Sequence, residues 1–358
     1  MARVWQRSAR WVCPVLAYWA VLPGCRPAAS QKADICGPSA SMVNSIGMIF
    51  RRIPSGTAYV GSPTDEVYRN ACYSLFFDGE DVREADTHEL RRIAIIRRGF
   101  WLGQTEVTNG QYRRYSADHR SEVLSMVRSE RVRPLHANVW EEQVEKLRKF
   151  SLNGSRQPVV CVSWDDAQAF CKWLSSLPAE KRARRSYRLP TEIEWEYACR
   201  AGCQERFFWG SQEAAARTYA NFADASGRRI WLGKYNFFCD DGFIVSAPVG
   251  SFQPNAFGLY DMLGNVFELC AETFKILGRD PDDCGTLSVG SNRPAVAARG
   301  GCWASGKYAA RCAARFAIPR DEQHHDVGFR VVLELAEDKP RRKALPASVP
   351  SQPSALAK

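Results

Sequence analysis

Residues 203–298 set the strongest limit on how this chain can fold. Over that stretch neither the two-residue alternation of a strand nor the 3.6-residue period of a helix is sustained. Gly, Asn, Asp, Pro and aromatic residues dominate it. So long an irregular run inside a domain needs a metal ion, disulfides or aromatic packing to hold it. With 13 cysteines, 11 tryptophans, 12 tyrosines and 18 phenylalanines, the chain has material for each.

Regular elements flank this run. GMIFRRIPSGTAYVGSP (47–63) reads as a strand, a Pro-Ser-Gly turn and a second strand, and RRIAIIRRGFWLGQTEVT (91–108) as another two strands. Thr108 opens a helix, with Gln111 placed to close a capping box. Residues 116–156 are polar and read as an inserted loop and helix. VSWDDAQAFCKWLSSL (162–177) is a helix capped by Ser163, with Ala167, Phe170, Trp173 and Leu174 as its buried stripe. In YRLPTEIEWEYACRAG, Pro190 stops the preceding segment, Thr191 caps the helix and Glu194 completes a box. The spacing of Glu192, Glu194 and Glu196 is explained by capping and the helix dipole before any catalytic role. FRVVLEL (329–335) reads as a closing strand. No internal repeat and no second-domain boundary is visible.

The two ends carry the charge. The formal net charge is +10, but three arginines lie in the first ten residues and five basic residues lie at 339–358, where no acid follows Asp338. The remainder is nearly neutral, which argues against a nucleic-acid-binding face. MARVWQRSAR followed by WVCPVLAYWAVL reads as a signal peptide over 1–24, since the apolar run is too short to span a bilayer. LPGC at 22–25 is similar to a bacterial lipoprotein processing site, with Cys25 as the lipidated residue; simple signal cleavage is the alternative. Both place the chain in the bacterial envelope, periplasmic or at the surface. In the first case a linker, 25–40, follows the lipid anchor, and in both a basic tail occupies 339–358. Eleven cysteines remain in an oxidising compartment, where disulfides are favoured and an odd number leaves one over. None has zinc-finger spacing.

Taken in order, GMIFRRIPSGTAYVGSP, QTEVTNGQYRRY, QPVVCVSWDDAQAFCKWL, YRLPTEIEWEYACRAG, FFWG, APVGSFQPNAFGLYDMLGNVFE, RGGCW and HHDVGFRV resemble the formylglycine-generating enzyme, or sulfatase-modifying factor, domain from 41 to 335. The resemblance implies one α+β domain of the C-type lectin-like kind with much irregular structure. It implies calcium held by Asn221, the Phe222 carbonyl, Asp241 and the Phe243 carbonyl, which are ligands of the oxygen type this ion takes. It points to a second calcium site at Asn265 and Glu268, although Phe267-Glu268-Leu269 departs from the family's Trp-Glu-Trp. It further implies a disulfide between Cys199 and Cys312. A second family bridge from Cys171 would need a cysteine where this chain has Val331.

Active members of that family carry a cysteine pair after the RGG segment that binds copper(I), and soft thiolates select that ion. In RGGCWASGKYAARCAARF (299–316) the first cysteine's place falls nearest Ser305, the second falls in a shortened segment, and neither cysteine is present. Copper is therefore not expected. Cys302, directly after RGG, and Cys270 remain candidates to line the same pocket, as a replacement disulfide, as buried thiols or as a redox site. His324-His325-Asp326 is the only histidine cluster. GxSxG, HExxH, a P-loop, a dinucleotide fingerprint and HxxxHxE are all absent. Three functions stay open. One is a non-catalytic binder of a peptide, protein or glycan. Another is a structural part of an envelope complex. The last is an oxidase acting on cysteine or other peptide side chains, as in sulfatase maturation.

Overall fold

The computed structural model describes residues 40–63, 89–123, 145–227, 237–277, 284–286, 288–289, 293–307 and 309–336. Cys25 and the segment around it, Cys36, Cys72 and the basic tail lie outside the described residues.

Two larger sheets and two strand pairs carry the architecture, with short helices between them, so the fold is α+β as expected. In the first sheet the order is β1 (Ser41–Val43), β2 (Ile49–Ile53), β5 (Phe100–Gly103), β14 (Val332–Leu335) and β6 (Arg185–Arg188), all antiparallel. The second contains β7 (Phe267–Thr273), β10 (Ser288–Val289), β11 (Arg293–Arg299), β12 (Arg315–Pro319) and β13 (Val327–Gly328). Here β11 lies between β7 and β12, and β13 joins β7 in parallel. Strand β3 (Gly56–Val60) pairs with β4 (Arg92–Ile96), and β8 (Lys275–Leu277) with β9 (Cys284–Thr286). The strands read from 47–63 thus go to different sheets, as do those read from 91–108.

The expected helix starts are present for the reasons expected. α1 (Asn109–Tyr112) and α4 (Glu192–Arg200) begin with reciprocal boxes, Thr108 with Gln111 and Thr191 with Glu194. α2 (Trp164–Ser176) begins at Ser163, whose partner is Asp166. Each such cap is worth about 1 kcal/mol. α2 buries Ala167, Phe170, Cys171 and Leu174, while Trp173 sits at the rim against Phe170 and Tyr115. Phe170 stacks on Tyr112 at 5.4 Å and meets the edge of Phe329 at 5.6 Å. A short α3 (Pro178–Arg182) leads into β6, and α5 (Ala216–Tyr219) is a single turn.

The second half of the irregular run contains two seven-residue strands, β7 and β11, which sequence reading missed. β11 (RPAVAAR) shows no alternation because both faces of its centre are buried, and β7 (FELCAET) alternates only over a few residues, with Glu268 buried as well. Phe267, Leu269, Val296, Ala298, Phe316 and Ile318 face one core cluster. Cys270, Ala295, Ala297 and Ala317 face the other. This two-sided sheet is the wall between the two halves of the core.

Candidate functional site

Strand β11 ends at Arg299, and Gly300 and Gly301 then turn the chain with φ of 91° and 76°, a region that favours glycine. The turn delivers Cys302, Trp303 and Ser305 into the interior. Ser305 Oγ accepts the Cys302 backbone N–H at 2.9 Å. The Cys302 sulfur lies 3.4 Å from Ser305 Oγ and 3.4 Å from Asp326 Oδ2. Asp326 immediately precedes β13, and His325 beside it packs its ring 5.9 Å from that of Trp303. Burial and the negative charge of Asp326 push the Cys302 thiol well above its ordinary range. At neutral pH it is a protonated donor to the carboxylate, not the thiolate that exchange or soft-metal binding requires. Cys161, close enough to feel the same aspartate, is pushed up to about 11, chiefly by burial, and its sulfur donates to the Glu122 carbonyl at 3.1 Å.

Cys270 does not share this pocket. Cys302 belongs to the first core cluster, whereas Cys270 lies on the far face of β7 in the second. The expectation that the two line one pocket is corrected: alternation along β7 places the sheet between them. Burial, with Glu192 and Glu272 nearby, also pushes the Cys270 thiol well up. Sequence reading missed Asp326; the His324-His325-Asp326 run drew attention to its histidines, but its carboxylate is the group that reaches the sulfur.

The calcium residues divide into two cases. Asp241 Oδ2 accepts Phe222 N–H at 2.9 Å and Oδ1 accepts Phe243 N–H at 2.8 Å, so both carbonyl-bearing residues are clamped to this carboxylate. Burial, with Asp224 and Asp240 nearby, lifts the Asp241 carboxyl to about 7 despite those bonds. Asn221 Oδ1 is buried without a hydrogen-bond donor. A carboxylate destabilised by burial and an amide oxygen lacking a donor fit a hard cation. Asn221, Asp241 and the carbonyls of Phe222 and Phe243 would hold it, and it would supply structural cross-linking rather than chemistry. Gly264 allows the close packing here: a Cβ on it would stand 2.2 Å from the Asn221 carbonyl oxygen.

Asn265 and Glu268 do not fit a second cation. Asn265 Oδ1 already accepts from Ala247 N–H at 2.8 Å and Asn221 Nδ2 at 3.3 Å. Glu268 accepts two bonds of 2.5 Å from the buried Arg330 guanidinium and one of 2.7 Å from Trp195 Nε1. A metal would have to displace the guanidinium of Arg330, which is itself fully buried against Glu268.

Beside this pair lie two more buried carboxyls. Glu106 Oε1 accepts from Asn265 Nδ2 at 2.9 Å and Asp261 Oδ2 accepts from Gly250 N–H at 2.7 Å. Their other oxygens, Glu106 Oε2 and Asp261 Oδ1, are buried and meet no donor when ionised. Burial pushes Glu106 well up, with Asp261 adding to it, and burial lifts Asp261 to about 6. A proton held between them would supply the donor each lacks.

Cys199 and Cys312 are brought together in the core, sulfur to sulfur 3.7 Å, both buried. Burial and the neighbouring Cys312 sulfur push the Cys199 thiol well up. Cys171 is a buried free thiol. The three glutamates of α4 are structural: Glu194 closes the box and binds Arg188, Glu192 pairs with Arg315 and Glu196 with Arg200 and Arg299.

One open groove of about 540 Å³ runs between residues 150–157 and 242–248, with Phe150, Arg156, Phe243, Ile244 and Pro248 among its walls. Phe243, held through its N–H by Asp241, lines this groove, so the order of residues 241–243 sets the shape of one wall.

Residues 46–335 match the sulfatase-modifying factor enzyme 1-like domain. The chain is similar to the formylglycine-generating enzyme of Mus musculus, 30% identical over 292 residues that cover 73% of each chain. It is also similar to the Inactive C-alpha-formylglycine-generating enzyme 2 of Mus musculus, 34% identical over 191 residues covering 51% of each. Among solved structures, PvdO from Pseudomonas aeruginosa superposes with a TM-score of 0.59 at 25% identity, over 84% of this chain and 100% of that one.

Proposed function

The chain belongs to the sulfatase-modifying factor enzyme 1-like family, and from that premise we propose that it is a member without formylglycine-generating activity, a ligand-binding or envelope-complex component. One observation carries this reading. The thiol after the RGG turn is buried, protonated and hydrogen-bonded to Asp326 and Ser305, and Ser305 stands nearest the place of the family's first cysteine. Such a site has neither the thiolate nor the thiol pair that copper(I) and thiol exchange require. Similarity to a relative named as inactive supports the same reading. The basic, apolar and LPGC segments at 1–25 support export and a lipid anchor on Cys25. In this reading calcium at Asn221 and Asp241 stiffens the wall of the open groove, which takes a peptide, protein or glycan segment.

The test is incubation of the reduced, copper(I)-treated protein with cysteine-containing peptides in air, read by mass spectrometry for the aldehyde. No aldehyde and no stoichiometric copper are expected. Aldehyde formation that disappears in Cys302→Ser overturns the reading. Metabolic labelling with palmitate, lost in Cys25→Ser, tests the anchor separately.

A further inference from the structure

The β3–β4 pair has an ordinary inner face and an unusual outer one. Ile96 and Ala58 face the second core cluster, and Val60 and Ala94 on the same side are buried. On the outer face Tyr59 lies opposite Ile93, and Thr57 opposite Ile95. These side chains stay in solvent: Tyr59 is 48% exposed, Ile93 59% and Ile95 62%. The same outward row of RRIAIIRR is closed at one end by Arg91 and at the other by Arg97, both exposed. The Arg91 guanidinium sits 4.8 Å over the Tyr59 ring. Glu89, two residues before Arg91, is buried and bound to Arg311. Among the described residues this row therefore has an apolar centre, an aromatic hydroxyl and a cation at each end, with no carboxylate.

That order decides the class of partner. A dry protein interface would have to desolvate both guanidiniums. An anionic bilayer accepts all three chemistries at their own depths. Isoleucines enter the boundary with the acyl chains, tyrosine lies at headgroup level, and arginines reach lipid phosphates. We infer that the outer face of the β3–β4 sheet, through Tyr59, Ile93, Ile95, Arg91 and Arg97, rests on the surface of an anionic lipid bilayer. This goes beyond the anchor on Cys25, which would say how the amino terminus is held and not which face of the domain meets the membrane.

Hydroxyl-radical footprinting of the full chain, alone and with phosphatidylcholine vesicles or vesicles containing phosphatidylglycerol, tests it. Labelling of Tyr59, Ile93 and Ile95 is expected to fall at least about fivefold with the anionic vesicles only, and to recover in high salt. Arg91→Gln with Arg97→Gln is expected to weaken this binding about 30-fold. Ile93→Thr with Ile95→Thr, which keeps the β-branched shape, weakens it without changing its salt dependence. Unchanged labelling with anionic vesicles overturns the inference. So does labelling that is already low in the free chain, or that falls with protein concentration without lipid, because its own chain or a second copy then covers the face. Equal protection by neutral vesicles overturns it as well. Loss of the anchor alone leaves the anionic protection in place, so the two readings fail separately.

Discussion

Replacing Glu106 by Gln tests the buried carboxyl pair most directly. Glu106 Oε1 keeps its bond from Asn265 Nδ2 as an amide oxygen, and the new Nε2 becomes the donor that Asp261 Oδ1 lacks. The pair's effect on stability follows from the folded state holding a proton that the unfolded chain releases. For Asp261, raised from 3.8 to about 6, the contribution is intact below about pH 4 and is lost as pH rises through about 6. That shift corresponds to about 3 kcal/mol, an order-of-magnitude figure for a fully buried group. Glu106, also raised, extends the loss to higher pH. Urea unfolding under reducing conditions from pH 4.5 to 8.5, parent against Glu106→Gln, isolates this pair because the other titrating groups cancel. The variant is expected to match the parent within about 1 kcal/mol at pH 4.5 and to exceed it by about 1–3 kcal/mol at pH 8.5. Asp261 has φ of 55°, a conformation that asparagine also accepts, so Asp261→Asn should give the same sign. A parallel pH profile, or a loss of more than about 2 kcal/mol at pH 8.5, refutes the shared proton and means that the site needs its negative charge.

Arg330→Met strands Glu268 in the core beside Trp195 and should cost about 3–5 kcal/mol in urea unfolding; a loss under about 1 kcal/mol would refute the claim that this ion pair is sealed from water. Calcium should raise the melting temperature of the parent and leave that of Asp241→Ala unchanged, while an equal rise in both would dismiss the Asn221–Asp241 site. Cys302 and Cys270 should resist iodoacetamide at pH 8 until the chain unfolds, because both thiols are buried and protonated, and modification of Cys302 at the rate of an exposed thiol would reopen the oxidase reading.

The cap residues were legible because a helix start is a local event. Ser163, Thr191 and Thr108 each bond to a backbone N–H three residues away, and that spacing is written in the chain. The family was legible because its turns and caps recur in order, and the clamp of Asp241 on Phe222 and Phe243 lies within one short segment pair. The strand β11 was not legible, since a strand buried on both sides loses the alternation that marks a strand, and the alternation of β7 spans too few residues after a turn-rich run to stand out. The fate of Cys302 was not legible either. Its chemistry depends on Asp326, twenty-four positions away, and on a sheet that separates it from Cys270. Glu268 likewise carries the sequence of a metal ligand, yet Arg330 occupies it. The sequence alone determined where elements begin and which family they build, because those depend on neighbours along the chain. Only the tertiary structure decided which carboxylates meet an arginine, a thiol or a backbone N–H, because burial and charge are set by residues that folding brings together.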